Sequence, residues 1–349
     1  MPSGRVSGSV QAGWSLVSAE PEVRHKLSTD PRVISASRRT DIPAFYSEWF
    51  MNRIRQGVVA VPNPNNADQI SWQSLRPETV QAIVFWTKDA RPLLKHLAEL
   101  EERGYRYYFQ YTLNGYPDWL EPHTPLGAEA IDAFLETSDL VGPDRVVWRY
   151  DPIFFLPGLD EKWHIEQHAH LAGQLDGRTR RCVISFLDVF RKTKGNLGRA
   201  CAERNLGSYE SFPSDMRAFG DALSGNVRRY GMHVTTCAEP DGVVGSLGEG
   251  VTRGKCIDEQ LLAKIGVSVP DKKDKGQREA CGCISSREIG MYDSCQHGCA
   301  YCYATVSSDV ARENIRKRHH RDSASLLDWI SDDNCPAWPE EEAQTSLFD

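Results

Sequence analysis

Six short apolar or β-branched runs recur along this chain with helical patterns between them: Arg32 to Ala36, Ala82 to Trp86, Tyr107 to Tyr111, Val146 to Trp148, Cys182 to Phe186 and His233 to Thr236. Helices are predicted over 46–56, 90–103, 126–138, 161–176 and 213–230, the last after a looser region from 194, with a short one at 258–265. Strands that alternate with helices pair in parallel through crossovers, which places the chain in the α/β class, as an open doubly wound sheet or a partial (β/α) barrel. The residues just after each run favour a partial (β/α)6 TIM-like barrel, in which working residues sit at the C-terminal strand ends. Those ends read Ser37-Arg-Arg-Thr-Asp41, Thr87-Lys-Asp89, Gln110-Tyr-Thr112, Arg149-Tyr-Asp151, Ser185-Phe-Leu-Asp188 and Thr235-Thr-Cys-Ala-Glu239, and all six carry polar groups able to converge on one mouth. No glycine-rich phosphate loop comes after the first run, which argues against a dinucleotide or P-loop enzyme.

With 349 residues, 40% of them apolar, the chain is long enough for a substantial core. Its formal charge of -7 excludes a polycation that coats nucleic acid, so any such contact must be local. The polar first thirty residues lack a secretory core and no apolar stretch is long enough to span a membrane, so a soluble cytoplasmic protein is expected. In a reducing compartment, ten cysteines point to metal or redox chemistry rather than disulfides. None precedes Cys182, and five fall between Cys281 and Cys302. The organisation read from these features is a flexible arm over 1–30, a barrel over 31–240, a cysteine-rich segment over 241–305, and a basic helix with a disordered acidic tail over 306–349.

Cys295-Gln-His-Gly-Cys299-Ala-Tyr-Cys302-Tyr303 is a C-x3-C-x2-C run with an aromatic residue on either side of the third cysteine. It resembles the cluster loop of the radical S-adenosylmethionine (SAM) superfamily, in which three thiolates hold a [4Fe-4S] cluster and leave one iron open to SAM. A zinc site would close its shell with a fourth ligand, for which Cys281, Cys283 and His297 are candidates. In the superfamily the motif comes after the first barrel strand; here it comes after all six runs. The arrangement is similar to a bacterial branch with the motif near the C-terminus, whose cluster segment would fold back over the barrel mouth. Phe85-Trp-Thr-Lys88 and Arg149-Tyr-Asp-Pro152 resemble the spore photoproduct lyase branch. The resemblance implies reductive cleavage of SAM to a 5′-deoxyadenosyl radical, with an external electron donor. By strand position it places Thr87 and Lys88 at the methionine amino-carboxylate, Arg149 and Asp151 at the carboxylate and ribose, and Ser185 with Asp188 at the ribose or adenine. Lys88, Arg149 and Asp151 are the catalytic candidates.

Cys237, Cys256, Cys281 and Cys283 form a second constellation, a complete thiolate shell for an auxiliary [4Fe-4S] cluster. Cys182, Cys201 and Cys335 are read as bystanders, buried small hydrophobes or unpaired. Arg312, Arg316, Lys317, Arg318 and Arg321 have spacings that put several of them on one helical face, which suits phosphate or simply solvent. The end, Gln344-Thr-Ser-Leu-Phe348-Asp349, is similar to the peptide by which bacterial repair proteins dock on the sliding clamp, with Leu347 and Phe348 as the apolar anchor. The expected function is a radical-SAM enzyme, with nucleic acid as a substrate candidate. The alternatives are a zinc-stabilised barrel hydrolase using Asp41, Asp151 and Glu239, or a non-enzymatic iron–sulfur carrier or clamp-binding protein.

Overall fold

A computed structural model describes residues 27–338 apart from 29 and 31. The 14–17 stretch, most of the arm and the clamp-like 344–348 peptide lie outside the described residues. The strands are β1 (Leu27–Ser28), β2 (Arg32–Ala36), β3 (Val58–Asn63), β4 (Asn66–Ser74), β5 (Val80–Thr87), β6 (Tyr107–Thr112), β7 (Val146–Ile153), β8 (Arg181–Phe186), β9 (His233–Thr236), β10 (Val251–Arg253) and β11 (Ser286–Glu288). Eight of them form one parallel sheet in the order β10-β9-β8-β7-β6-β5-β2-β11, and β1, β4 and β3 form a small second sheet. The fold is α/β, and the large sheet is open, its edges β10 and β11 unpaired with each other.

All six predicted runs are strands of the large sheet. Two more join it because residues 241–305 return to both edges: β10 pairs with β9, and β11 with β2. Each is only three residues long and largely polar (Val-Thr-Arg and Ser-Arg-Glu), so neither carries an apolar period. The β3–β4 hairpin likewise has no counterpart among the six runs. The helix predicted over 90–103 is two, Arg91–Leu94 and Leu97–Glu102. The looser region from 194 overlaps the helix Arg191–Ala202, which Gly195 and Gly198 disguise but which buries Thr193, Leu197 and Cys201 at four-residue spacing.

From β2 through β10 every new strand adds on the same side, without the reversal of a doubly wound sheet. Strand alternation then sorts the core in two. Ile34, Ile83, Phe85, Tyr107, Phe109, Trp148 and Ile184 pack in the main core, with Phe134 and Phe219 from helices. Their neighbours Val33, Ala82, Val84, Tyr108, Val147 and Val183 pack instead with Cys256, Ile257, Leu261, Leu262, Cys281 and Cys283. The second face of the sheet is therefore covered by the cysteine-rich segment itself. Among the described residues no helix is long and apolar enough to cross a membrane.

Candidate metal centres at the strand ends

The Cys295–Cys302 loop lies between β11 and the helix Ser308–Arg318, and it is fastened to segments far earlier in the chain. Tyr46 donates to the Ser294 carbonyl (2.6 Å), Tyr303 to the Arg38 carbonyl (2.7 Å), and the Ala300 N–H to the Leu120 carbonyl (2.9 Å). Asp41 is a junction: it caps the helix Ile42–Phe45, accepts the Lys88 backbone N–H (2.7 Å) and meets His297 Nε2 (2.8 Å). Two glycines permit the close approach. A Cβ at Gly290 would stand 1.9 Å from Ser37 Oγ, and Gly298 turns the loop at φ +72° between the first two cysteines. Cys295, Cys299 and Cys302 line one cavity of about 330 Å³ together with Trp119, Asn196 and Arg199.

Beside this loop, Lys88 Nζ meets Glu121 Oε1 at 2.9 Å with both side chains largely buried. Glu121 also accepts from Tyr301 and from Asn114 Nδ2 (3.3 Å). Burial alone would raise the Glu121 carboxyl, but Lys88, Tyr301 and Asn114 outweigh it and hold it below the usual range. The Lys88 ammonium, which burial would lower, is raised by Glu121 and by the nearby Cys299. Burial pushes the Cys299 thiol up to about 12, against the pull of Lys88, and raises the Cys295 thiol as well. A bound cation is what such thiols need to ionise. Lys88, Glu121 and Asn114 also line a second cavity of about 440 Å³, and the Asn114 Oδ1 is buried without a partner.

A second group of thiols forms where β9 meets the returning segment. Cys237 and Cys256 are in direct contact (Sγ–Sγ 2.8 Å), and Cys283 is hydrogen-bonded to both Cys256 and Cys281. Those bonds, with Arg38 helping, hold Cys283 below the usual thiol range, and the bond from Cys256, with Arg149, does so for Cys237. Cys256 and Cys281, the donors, are pushed up. Arg149 Nη1 reaches Cys256 Sγ at 2.8 Å, and the Cys256 carbonyl accepts from Tyr108 and Gln110 of β6. Arg149 is also paired with Asp151 (Nε–Oδ1 3.1 Å), which accepts from Ser185 (3.2 Å). Arg38 and Arg149 each stand 5.1 Å from the Trp86 ring, and Arg38 Nη2 is buried without a partner. That orphaned donor, two guanidiniums and four thiols are a donor set suited to an anionic thiolate-ligated group.

The structure thus brings Cys237, Cys256, Cys281 and Cys283 together and keeps them apart from the three-cysteine loop. Cys281 and Cys283 are not placed as a fourth ligand to that loop, and His297 is occupied by Asp41 and the His123 carbonyl. Thr87 accepts the Asp89 N–H (2.9 Å), and Asp188 is paired with Arg278 on a half-exposed rim. Glu239 accepts the Phe186 N–H (2.8 Å), and burial raises its carboxyl. Cys182 and Cys201 are buried in the apolar clusters. Arg312, Arg316, Lys317 and Arg318 are paired with Asp309, Glu313 and Asp328, the pattern of a solvated helix face. Sequence reasoning does not single out Glu121, Asn114, Arg38 or Trp86, which the structure places beside the two thiol groups. Each owes its place to partners far away in the chain, and only Arg38 and Trp86, next to strand ends, carry any signal.

Among the described residues, no group of three or more His, Cys, Asp and Glu side chains has the arrangement of a site for a metal ion. The family model described as Domain of unknown function (DUF1848) matches residues 33–304. No curated protein matches the chain. A crystal structure assigned as an α-L-fucosidase, from Bacteroides thetaiotaomicron VPI-5482, aligns with a TM-score of 0.26 and 10% identity over 88% of this chain and 98% of that one. A likeness that distant carries no argument.

Proposed function

We propose that this chain, which belongs to the family described as Domain of unknown function (DUF1848), is a radical-SAM enzyme built on a partial (β/α) barrel whose C-terminal segment brings the cluster loop to the strand ends. The observation that carries this reading is the separation of its thiols: three in one cavity beside a buried Lys88–Glu121 pair, and four others in a distinct group flanked by Arg38 and Arg149. Three thiolates with an open fourth position suit a [4Fe-4S] cluster, which when bound supplies one electron to the sulfonium of SAM. Cys295, Cys299 and Cys302 would hold it, and Cys237, Cys256, Cys281 and Cys283 an auxiliary cluster.

The residues around the loop have separable tasks. Lys88 and Glu121 present an ammonium and a carboxylate side by side, the complement of an amino acid's carboxylate and ammonium, and Asn114 adds an unused acceptor. Asp151, fixed by Arg149 and Ser185, offers an acceptor to ribose hydroxyls.

The test is anaerobic reconstitution with iron and sulfide, followed by SAM and dithionite. The expected product is 5′-deoxyadenosine, and replacing Cys295, Cys299 or Cys302 with Ala abolishes it. Unchanged cleavage in any of these variants overturns the assignment, and an iron-loaded protein that never cleaves SAM supports the electron-carrier alternative.

A further inference from the structure

We propose that the helix Arg191–Ala202 is the docking face for a small acidic one-electron carrier protein that reduces the group held by Cys295, Cys299 and Cys302. The proposal rests on the radical-SAM reading and adds a partner to it. The helix carries Arg191, Lys192, Lys194 and Arg199 and no acidic residue, in a chain whose formal charge is -7. Lys192 turns inward to Asp293 (2.9 Å). Arg191 and Lys194 are exposed, and among the described residues neither has a carboxylate partner; Arg199, exposed and likewise without one, borders the cavity of the three thiols and donates to Asn196 Oδ1. The cations of the helix Ser308–Arg318, by contrast, are largely neutralised by its own and neighbouring carboxylates.

The inner side of the same helix holds the cysteine loop. Thr193 donates to the Tyr301 carbonyl (3.4 Å), Asn196 Nδ2 to the Thr305 carbonyl (3.1 Å), and Lys192 to the Ala304 carbonyl (3.1 Å). Asn196 and Arg199 stand on one wall of the cavity that the three thiols line, and Glu203 at its edge is paired with Arg204, which stacks on Trp119. The same short helix therefore carries unpaired cations and holds the thiol loop. An acidic partner is steered to such a surface and held at short range by it. The transfer is simple in balance: the carrier loses one electron, the bound cluster gains it, and no bond is made or broken. A nucleic-acid backbone would use the same charge but would gain nothing from proximity to the thiols.

The experiment uses the reconstituted full chain, with flavodoxin hydroquinone as the acidic carrier and dithionite as the small reductant, monitored by stopped-flow absorbance. Arg191→Glu with Lys194→Glu is expected to slow reduction by flavodoxin about fivefold or more at low salt, while added salt slows the unsubstituted protein toward the same rate. Iron content and reduction by dithionite should stay unchanged, which shows that the variant has folded and loaded. Equal flavodoxin rates in variant and parent overturn the proposal. So does loss of single-stranded oligonucleotide binding in the variant with its flavodoxin rate intact, which assigns the surface to nucleic acid. A parent protein that acquires no cluster overturns the underlying function itself, an outcome visible from iron analysis alone.

Discussion

The Lys88–Glu121 pair shows how one residue's value depends on its neighbour. Side-chain exposure is 13% for Lys88 and 6% for Glu121, so neither charge has water to fall back on. Removing one partner of a buried pair leaves an uncompensated charge and costs roughly 3–5 kcal/mol, whereas removing both is far less costly. Lys88→Met should therefore destabilise the apo protein by several kcal/mol, and adding Glu121→Gln should recover much of that loss. Urea denaturation of the two variants and the parent measures it; a double variant no more stable than Lys88→Met would place the cost elsewhere, in packing rather than charge. Arg149 is held in the same manner, between Asp151 and Cys256.

At the scale of an element, the helix Glu161–Gln174 buries His164 and His168, one turn apart, against Trp148 and Tyr150 of β7. His164 Nδ1 meets the Tyr150 hydroxyl and its Nε2 the Phe154 carbonyl, both satisfied without charge. Burial lowers His164 to about 4 and His168 to about 3 from an ordinary 6.5. Between those values the unfolded chain takes up protons that the folded chain refuses. Stability is thus full above pH 6.5 and is lost as pH falls, by about 1.4 kcal/mol per pH unit for each histidine. His168→Gln should flatten the fall between pH 6.5 and 4.5 relative to the parent, read from urea midpoints at each pH. Parallel curves would mean that His168 is not buried as a neutral ring.

Across the whole molecule the two thiol groups are separate, which has a stoichiometric consequence. Fully loaded protein should contain about eight irons per chain from two four-iron clusters. Replacing Cys295, Cys299 and Cys302 together should leave about half of that iron, since the four-thiol group keeps its own shell. Iron and sulfide analysis decides it: no residual cluster in the triple variant would remove the second site. The large sheet explains how one chain keeps the groups apart. Its cysteine-rich segment leaves β9, forms β10 at one edge, crosses the second face with Cys256, Cys281 and Cys283, and reaches β11 at the other edge before entering the loop.

Features that depend on near neighbours were legible from the amino-acid order alone. The six inner strands are apolar runs bounded by polar turns, and the C-x3-C-x2-C motif is visible because its cysteines share one loop. Tertiary structure decided the rest, for the reason that the deciding partners are distant in the chain. β10 and β11 are polar tripeptides that become strands only because a sheet edge offers them hydrogen bonds. Glu121 is an ordinary acidic residue until Lys88 and Tyr301 close around it, and Cys256 an ordinary buried thiol until Arg149 and Cys237 arrive. Local propensity cannot encode such encounters, because charge and hydrogen bonding act through space once the sheet has brought its strand ends together.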